Sequence, residues 1–245
     1  MRTGLSCQIL DWDSEFFGRR IARVVGKEMD SEKMESVQAF ARSQNVDCVY
    51  FLVDDEDEAS IRAAEAGDFR CVDVRVTRER TLEGISKELP AGVKVFRDED
   101  LAALQAIARS SHSATRFYHD AHFSRQRCDS LYERWITNSC GGESDRVFVV
   151  RRNGEAVAYL TCEVDSSKVG QIGLVAVSES ERGRRLGEDL VRSSLAWFAK
   201  RDRERVRVIS QARNVAAAKL YEKLGFDTTA TERWFHFWPD AASRA

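Results

Sequence analysis

The chain has 245 residues, 43% hydrophobic and 32% charged, with a formal net charge of −2 at pH 7. That content suffices for the core of a globular protein with one large domain or two small ones. The near-neutral balance excludes a global attraction to nucleic acid or to an anionic membrane. No stretch approaches the roughly 20 apolar residues that span a bilayer. The six cysteines form no C-x-x-C pair, so we expect buried thiols in a reduced, cytoplasmic compartment.

The first third of the chain has the pattern of a small α/β domain. Periodicity predicts a strand, a helix and two further strands, at 21–25, 31–43, 48–53 and 69–82. Pro90 is one of only two prolines and lies between two strand-like runs. We therefore place a domain boundary there, with an N-terminal domain on the acceptor-binding side at 1–90 and a second domain at 91–245.

The elements predicted after Pro90 alternate between strands and helices. They are a strand at 93–96, helices at 99–108 and 130–138, strands at 146–152, 155–165 and 169–177, a helix over 186–198, a strand at 206–212, a helix at 214–224 and a strand at 229–238. Asn153-Gly154 is a strong signal for a hairpin between two of these strands. Residues after Pro239 are expected to form a loose tail.

An arginine- and glycine-rich turn follows the strand at 169–177. Its residues are Arg182, Gly183, Arg184, Arg185, Leu186 and Gly187. Glycine lets a backbone approach a ligand closely, and the N–H groups at a helix start favour an anion, so the turn predicts a pyrophosphate site. Residues 182–207 hold nine basic and four acidic residues, a net charge of +5, which suits a phosphate-rich ligand. A solvated helix face and loop is the alternative.

Asn214 and Tyr221 lie two turns apart on nearly the same face of one predicted helix. An amide and a phenol can therefore point along one groove. A phenol with its ordinary pKa of about 10 is protonated at pH 7 and can donate a proton to a leaving thiolate. The alternatives are a helix N-cap for Asn214 and a core aromatic for Tyr221.

These two segments resemble the Gcn5-related N-acetyltransferase (GNAT) superfamily, whose turn has the form (Arg/Gln)-x-x-Gly-x-(Gly/Ala). Arg182 takes the first place and Gly187 the last, but Arg185 stands at the middle glycine. Either the Arg185 backbone stays right-handed with its guanidinium turned outward, or CoA binding is weakened. Residues 214–226 match the family's Asn-x-x-Ala-x-x-x-Tyr-x-x-x-Gly-Phe ending, in which the tyrosine is the usual general acid.

The resemblance implies an α/β (α+β) fold whose mixed, mostly antiparallel sheet is flanked by helices. It also implies acetyl-CoA as cosubstrate, no metal, and direct transfer in a ternary complex with Tyr221 as acid. The implied cosubstrate-binding residues are Leu174, Val175, Ala176, Val177, Arg182, Gly183, Arg184, Arg185, Leu186, Gly187, Asn214 and Tyr221. No base stands out, and Glu163 and a water chain are both candidates.

A narrower resemblance covers nearly the whole chain. Residues 10–18, 115–117 with Asp120 and Phe123, and 131–136 are similar to the dTDP-fucosamine N-acetyltransferases. Those enzymes acetylate the 4-amino group of dTDP-4-amino-4,6-dideoxy-D-galactose for surface-polysaccharide assembly. The resemblance implies a nucleotide-linked aminosugar as substrate, and members of this type often form homodimers.

Four aromatic or basic residues are candidates for binding the acceptor. Phe17, Phe117 and Tyr118 could stack on a base or sugar face, and Arg116 could pair with a phosphate. The alternatives are a buried turn at 16–18 and an ion pair of Arg116 on its own helix. Three of the four histidines, His112, His119 and His122, lie in the same aromatic-rich stretch. They lack the acidic partners of a metal site, so a surface loop is expected there.

Two other functions stay open. A GNAT protein that acetylates a peptide, a protein or another small amine would need an open groove, with the N-terminal domain as an adaptor. A non-catalytic CoA-binding sensor is suggested by Arg185 at the glycine position. The presence of both Asn214 and Tyr221 argues against the sensor.

Overall fold

The computed structural model describes residues 7–239, so the predicted C-terminal tail lies outside the described residues. The strands are β1 (Cys7–Ile9), β2 (Ile21–Val24), β3 (Cys48–Asp54), β4 (Arg70–Thr81), β5 (Val93–Val95), β6 (Arg146–Arg152), β7 (Glu155–Val164), β8 (Val169–Val177), β9 (Arg205–Gln211) and β10 (Asp227–Phe237). The α-helices are α1 (Asp11–Phe17), α2 (Ser31–Ser43), α3 (Glu58–Ala66), α4 (Leu101–Ser111), α5 (Arg125–Asn138), α6 (Leu186–Ala199) and α7 (Val215–Lys223). Across residues 7–239, none of the helices combines the length and the apolar character needed to cross a membrane.

The chain divides into two compact units that do not follow chain order. Within the described residues, the first unit contains 7–75, His119–Phe123 and 230–239. The second contains Val76–Tyr118 and Ser124–Thr229. The boundary predicted at Pro90 stays a prediction.

The first unit has the strand order β1-β2-β3-β10, in which β2 and β3 run parallel and the other neighbours antiparallel. The apolar run of β3 is buried along six of its seven residues, as a central strand covered on both faces requires. Helix α2 begins where the Asp30 carboxylate accepts a hydrogen bond from the Lys33 N–H at 2.7 Å. These features give the first unit its own core.

The second unit has the strand order β4-β9-β8-β7-β6-β5, with β8 and β9 parallel and β5 to β8 successively antiparallel. The Asn153-Gly154 hairpin is confirmed, with φ of 51° and 89° at the two turn residues. Helix α6 packs closely on the sheet, since a Cβ on Gly170 would lie 2.3 Å from the Phe198 ring. The predicted α/β class with a mixed sheet is therefore confirmed.

Most predicted elements agree with the structure to within three residues, and α5 is the largest boundary difference. It begins at Arg125, five residues before the predicted start at 130. The Ser124 hydroxyl accepts a hydrogen bond from the Arg127 N–H at 3.3 Å and so caps an earlier first turn. The capping serine decides the start because the first turn of α5 is polar and gives no apolar periodicity.

Candidate functional site

The sheet of the second unit opens between β8 and β9. Their parallel pairing ends where Ile172 lies opposite Val208, although β8 continues to Val177 and β9 to Gln211. The opening leads into a cleft of about 650 Å³ lined by the last residues of both strands. Backbone N–H and C=O groups along the parted edges must find other partners, and an extended ligand can supply them.

A β-bulge in β8 lies at the start of this opening. Leu160 of β7 lies opposite Val175, but Cys162 lies opposite Ile172, so β8 has one extra residue in this interval. A bulge bends its strand and increases the local twist. The strand therefore turns away from β9 over the residues predicted to bind the cosubstrate.

Gly173 makes the bulge sterically feasible. A Cβ at this position would lie 2.6 Å from Thr161 Oγ1 and 2.7 Å from Glu163 Oε1, closer than real Cβ contacts. The following N–H, that of Leu174, donates to Thr161 Oγ1 at 2.8 Å. The Thr161 side chain thus takes the place of a strand carbonyl as the partner of this backbone group.

The cleft brings together eight of the predicted cosubstrate residues from three parts of the second unit. They are Leu174, Val175, Ala176, Val177, Arg182, Gly187, Asn214 and Tyr221. The turn residues Gly183, Arg184 and Arg185 are exposed and do not line the cleft, and Leu186 is buried in the core. Their contact with a cosubstrate stays a prediction.

The Arg/Gly turn reaches the start of α6 through two left-handed residues. Gly183 has φ of 79° and Arg185 has φ of 62°. The right-handed alternative for Arg185 is therefore wrong, because the chain takes the left-handed conformation at the family's glycine position even with a side chain there. Gly187 lies close to α7, since a Cβ on it would be 3.3 Å from Leu220 Cδ2.

Replacing Arg185 by glycine is expected to stabilise the protein by about 1 kcal/mol, because glycine removes the cost of a left-handed residue with a side chain. The measurement is the free energy of unfolding from urea denaturation. Arg184→Gly is the matched control, since Arg184 is a neighbouring exposed arginine without a positive φ. Equal effects of the two substitutions would contradict the argument from φ.

Asn214 and Tyr221 both line the cleft, and each also has the structural role that was given as its alternative. Asn214 caps α7, where its Oδ1 accepts a hydrogen bond from the Ala217 N–H at 3.1 Å. Tyr221 is 4% exposed and packs its ring on Phe226, with the centroids 5.5 Å apart. Burial raises the pKa of Tyr221, and the nearby charge of Arg78 lowers it by less. The phenol is therefore protonated at pH 7 and available as a donor.

The four candidate acceptor residues are not among those that line this cleft. Arg116, Phe117 and Tyr118 belong to a short 3-10 turn, where the Arg116 guanidinium lies 4.4 Å from the centroid of the Phe117 ring. The Tyr118 hydroxyl donates to Asp129 Oδ1 at 2.7 Å. Phe17 is buried in the first unit at the end of α1. Their role in acceptor binding stays a prediction.

His112 lies in the partly exposed segment after α4, as expected, but it is also a cleft residue, which was not predicted. It follows α4 directly, stacks on Tyr132 with the ring centroids 4.5 Å apart, and lines the cleft. Its Nε2 lies 2.9 Å from the Tyr159 hydroxyl. Burial lowers the pKa of His112 to about 4, so the ring is neutral at pH 7. The sequence gives no signal for this contact, because Tyr159 lies on β7, far along the chain.

Two other histidines share one carboxylate in the first unit. The Nδ1 of His236 and the Nδ1 of His122 lie 2.6 and 2.8 Å from the Asp120 carboxylate, and the Trp238 indole N–H donates to it at 2.9 Å. The contacts of the His236 ring lower the pKa of Asp120 despite its burial. In the part of the chain that the structure describes, no group of histidine, cysteine or acidic residues is arranged to hold a metal ion.

Glu163 borders the bulge but does not line the cleft. Burial and the carboxylates of Asp145 and Glu143 raise the pKa of Glu163. A raised pKa brings a carboxylate closer to the range useful for a general base. Glu163 therefore stays a candidate base that would act on the cleft through a water molecule.

Known proteins share the sequence pattern and the fold of this chain. A model of the acetyltransferase (GNAT) family matches residues 101–226, just over half of the chain. The solved structure of a GCN5-related N-acetyltransferase from Sphaerobacter thermophilus has the same fold, with a TM-score of 0.67 at 16% identity, covering 95% of this chain and 76% of that one.

The curated proteins with similar sequences include one from Bacillus subtilis and one from Escherichia coli. The spore coat polysaccharide biosynthesis protein SpsD of Bacillus subtilis strain 168 is 28% identical over 141 residues, which cover 57% of this chain and 48% of that protein. This chain thus spans about half the length of that relative. The dTDP-fucosamine acetyltransferase of Escherichia coli O6:H1 is 24% identical over 242 residues, which cover 94% of this chain and 97% of that protein.

Proposed function

This chain belongs to the acetyltransferase (GNAT) family, and we propose that it transfers an acetyl group from acetyl-CoA to the amine of a nucleotide-linked aminosugar of the dTDP-4-amino-4,6-dideoxy-D-galactose type. One observation carries the acyl-transfer half of this proposal: Tyr221 and the parted end of β8 line one cleft. The similarity to a dTDP-fucosamine acetyltransferase over nearly the full length of both chains supports the acceptor half.

The donor side of the cleft suits an extended pantetheine arm. The free backbone edge of Leu174 to Val177 can pair with its amide groups, as one strand pairs with another. The left-handed turn through Gly183 and Arg185 leads into the N-terminus of α6, which favours a pyrophosphate. The backbone N–H groups near Val175 to Val177 can stabilise the oxyanion of the tetrahedral intermediate.

Each proton of a direct transfer has a donor and an acceptor. The neutral amine attacks the thioester carbon, the carbon–sulfur bond breaks, and Tyr221 gives its phenolic proton to the leaving thiolate. The attacking nitrogen loses a proton to water or to Glu163, and the phenolate regains one from solvent. No covalent acyl-enzyme forms, so no cysteine acts as a nucleophile.

The proposal extends to the acceptor and to the assembly. Residues 1–90 form the acceptor-binding side, residues 91–245 form the acetyltransferase domain, and Phe17, Arg116, Phe117 and Tyr118 contact the nucleotide sugar. A homodimer and a cytoplasmic location complete the proposal. The similarity to the dTDP-fucosamine acetyltransferase, which covers 94% of this chain, supports the acceptor part of this proposal.

The release of CoA thiol from acetyl-CoA tests the proposal directly. The purified protein is assayed with a panel of dTDP-aminosugars and with a histone-like peptide. We expect turnover with dTDP-4-amino-4,6-dideoxy-D-galactose and none with the peptide. Turnover with the peptide alone would replace the sugar by a protein acceptor. Tight CoA binding without turnover of any acceptor would indicate a sensor.

A further inference from the structure

One wall of the cleft is built by the end of α4, the segment after it and the facing side of α5. Five of its residues, Ser111, His112, Thr115, Tyr132 and Trp135, are here called the hydroxyl wall. The five side chains carry hydroxyl, imidazole and aromatic groups and no carboxylate, ammonium or guanidinium. The wall lines the same cleft as the parted end of β8, where an acyl acceptor must meet the thioester.

The hydrogen bond between His112 and Tyr159 fixes which imidazole nitrogen carries the proton. Tyr159 is fully buried, and His112 Nε2, at 2.9 Å, is the one hydrogen-bond partner that residues 7–239 offer its hydroxyl. If Nε2 carried the proton, the phenolic hydrogen would be buried without an acceptor, which is costly. The Tyr159 O–H therefore donates to Nε2, and the proton of the neutral ring lies on Nδ1.

The hydrogen-bond roles make His112 a donor and not a base. The lone pair of Nε2 is occupied by Tyr159, and Nδ1 presents an N–H. Burial lowers the pKa of His112 to about 4, so protonation does not change this arrangement at pH 7. Stacking on Tyr132, with the ring planes 16° apart, holds the orientation of the imidazole.

Two hydroxyl groups add further uncharged hydrogen-bonding capacity to the wall. The Tyr132 hydroxyl donates to Thr115 Oγ1 at 2.7 Å, which leaves the Thr115 hydroxyl hydrogen to be donated elsewhere. The Ser111 hydroxyl is buried and has no hydrogen-bond partner within the described residues. Neutral donors beside the rings of Tyr132 and Trp135 suit a ring with an apolar face and hydroxyl substituents, and lack the charge that favours a phosphate or carboxylate.

We propose that the hydroxyl wall is the acceptor subsite, in which the Nδ1–H of His112 donates to a hydroxyl oxygen adjacent to the reacting amine. The protein therefore selects amines that carry a neighbouring hydroxyl. This inference rests on the proposed aminosugar acetylation and adds the residue that recognises the sugar next to its amine. A buried donor left without an acceptor disfavours an amine that lacks this hydroxyl.

The tautomer of His112 can be measured without any turnover. The full-length protein, labelled with ¹⁵N-histidine, is studied by ¹H–¹⁵N correlation at pH 7, and the His112→Asn variant identifies the signal. We expect a neutral ring with its proton on Nδ1. In Tyr159→Phe the preference for this tautomer should be lost. A wild-type ring with the proton on Nε2, or a charged ring at pH 7, would overturn the proposal.

Acceptor selection is measured with dTDP-4-amino-4,6-dideoxy-D-galactose and its 3-deoxy analogue. The wild type should favour the hydroxylated sugar by about tenfold in kcat/KM. His112→Asn can place an amide N–H near the position of Nδ1 and should keep most of the preference, whereas His112→Leu should lose it. A preference that is equal in all three proteins would overturn the assignment of His112.

A simpler pair of amines separates this inference from the proposed function. The CoA-bound protein is titrated with trans-2-aminocyclohexanol and with cyclohexylamine while the His112 signals are followed. We expect only the amino alcohol to shift the Nδ1–H resonance. If neither dTDP sugar is acetylated but the amino alcohol shifts this resonance, the nucleotide-sugar acceptor is wrong and the hydroxyl subsite stands. An identical response to both amines would refute the subsite.

Discussion

Replacing Tyr221 by phenylalanine is expected to lower kcat by about 10²- to 10⁴-fold, the usual contribution of a positioned general acid. The KM for acetyl-CoA should change little. The substitution removes one hydroxyl and keeps the ring, which packs on Phe226 at 5.5 Å, so the fold should persist. Steady-state kinetics of CoA-thiol release, with the amine that the wild type acetylates as acceptor, measure both constants.

The pH dependence of kcat, compared between the wild type and Tyr221→Phe, identifies the proton donor. Because burial raises the pKa of Tyr221, the phenol stays protonated through the alkaline range, and wild-type kcat should not fall between pH 8 and about 10. Tyr50→Phe, at a buried tyrosine of the first unit, is the matched control and should leave kcat unchanged. An unchanged kcat in Tyr221→Phe would refute this tyrosine as the acid.

The elements that the sequence predicts well are those whose signals lie within the element itself. Helix α2 was predicted at 31–43 and is observed at Ser31–Ser43, because its apolar spacing and the Asp30 cap both lie within one stretch. Helix α3, at Glu58–Ala66, was not predicted, since Ile61 is its one large apolar residue and no apolar spacing can be read from it. Strand β1 has only three residues and depends on β2 for its existence.

The same distinction holds within the candidate site. Asn214 and Tyr221 share a helix face, so their approach to one cleft follows from helical spacing alone. His112 meets Tyr159 only through tertiary structure, and this contact was not predicted. Nothing local in the sequence indicates that the glycine at 173 must accommodate Thr161, since that contact arises from the pairing of β7 with β8.

Replacing Gly173 by alanine is expected to lower kcat/KM for acetyl-CoA by about 10²-fold. The new Cβ would lie 2.6 Å from Thr161 Oγ1, and Thr161 is fully buried and bonded to the Leu174 N–H, so the β8 backbone must move. A displacement of about 1 Å in groups that position a substrate costs about this factor. Overpacking should also lower the free energy of unfolding by about 1–3 kcal/mol.

A matched glycine shows whether the loss at position 173 comes from the bulge. A Cβ on Gly92 would have no atom within 4 Å, so Gly92→Ala should keep both kcat/KM and the free energy of unfolding. Urea denaturation establishes the folded fraction of each variant, and calorimetry gives its affinity for CoA. If folded Gly173→Ala binds CoA and turns over like the wild type, the bulge does not position the thioester. If CoA affinity and kcat/KM fall together, the opening of β8 from β9 is the part of the fold that holds the acyl donor.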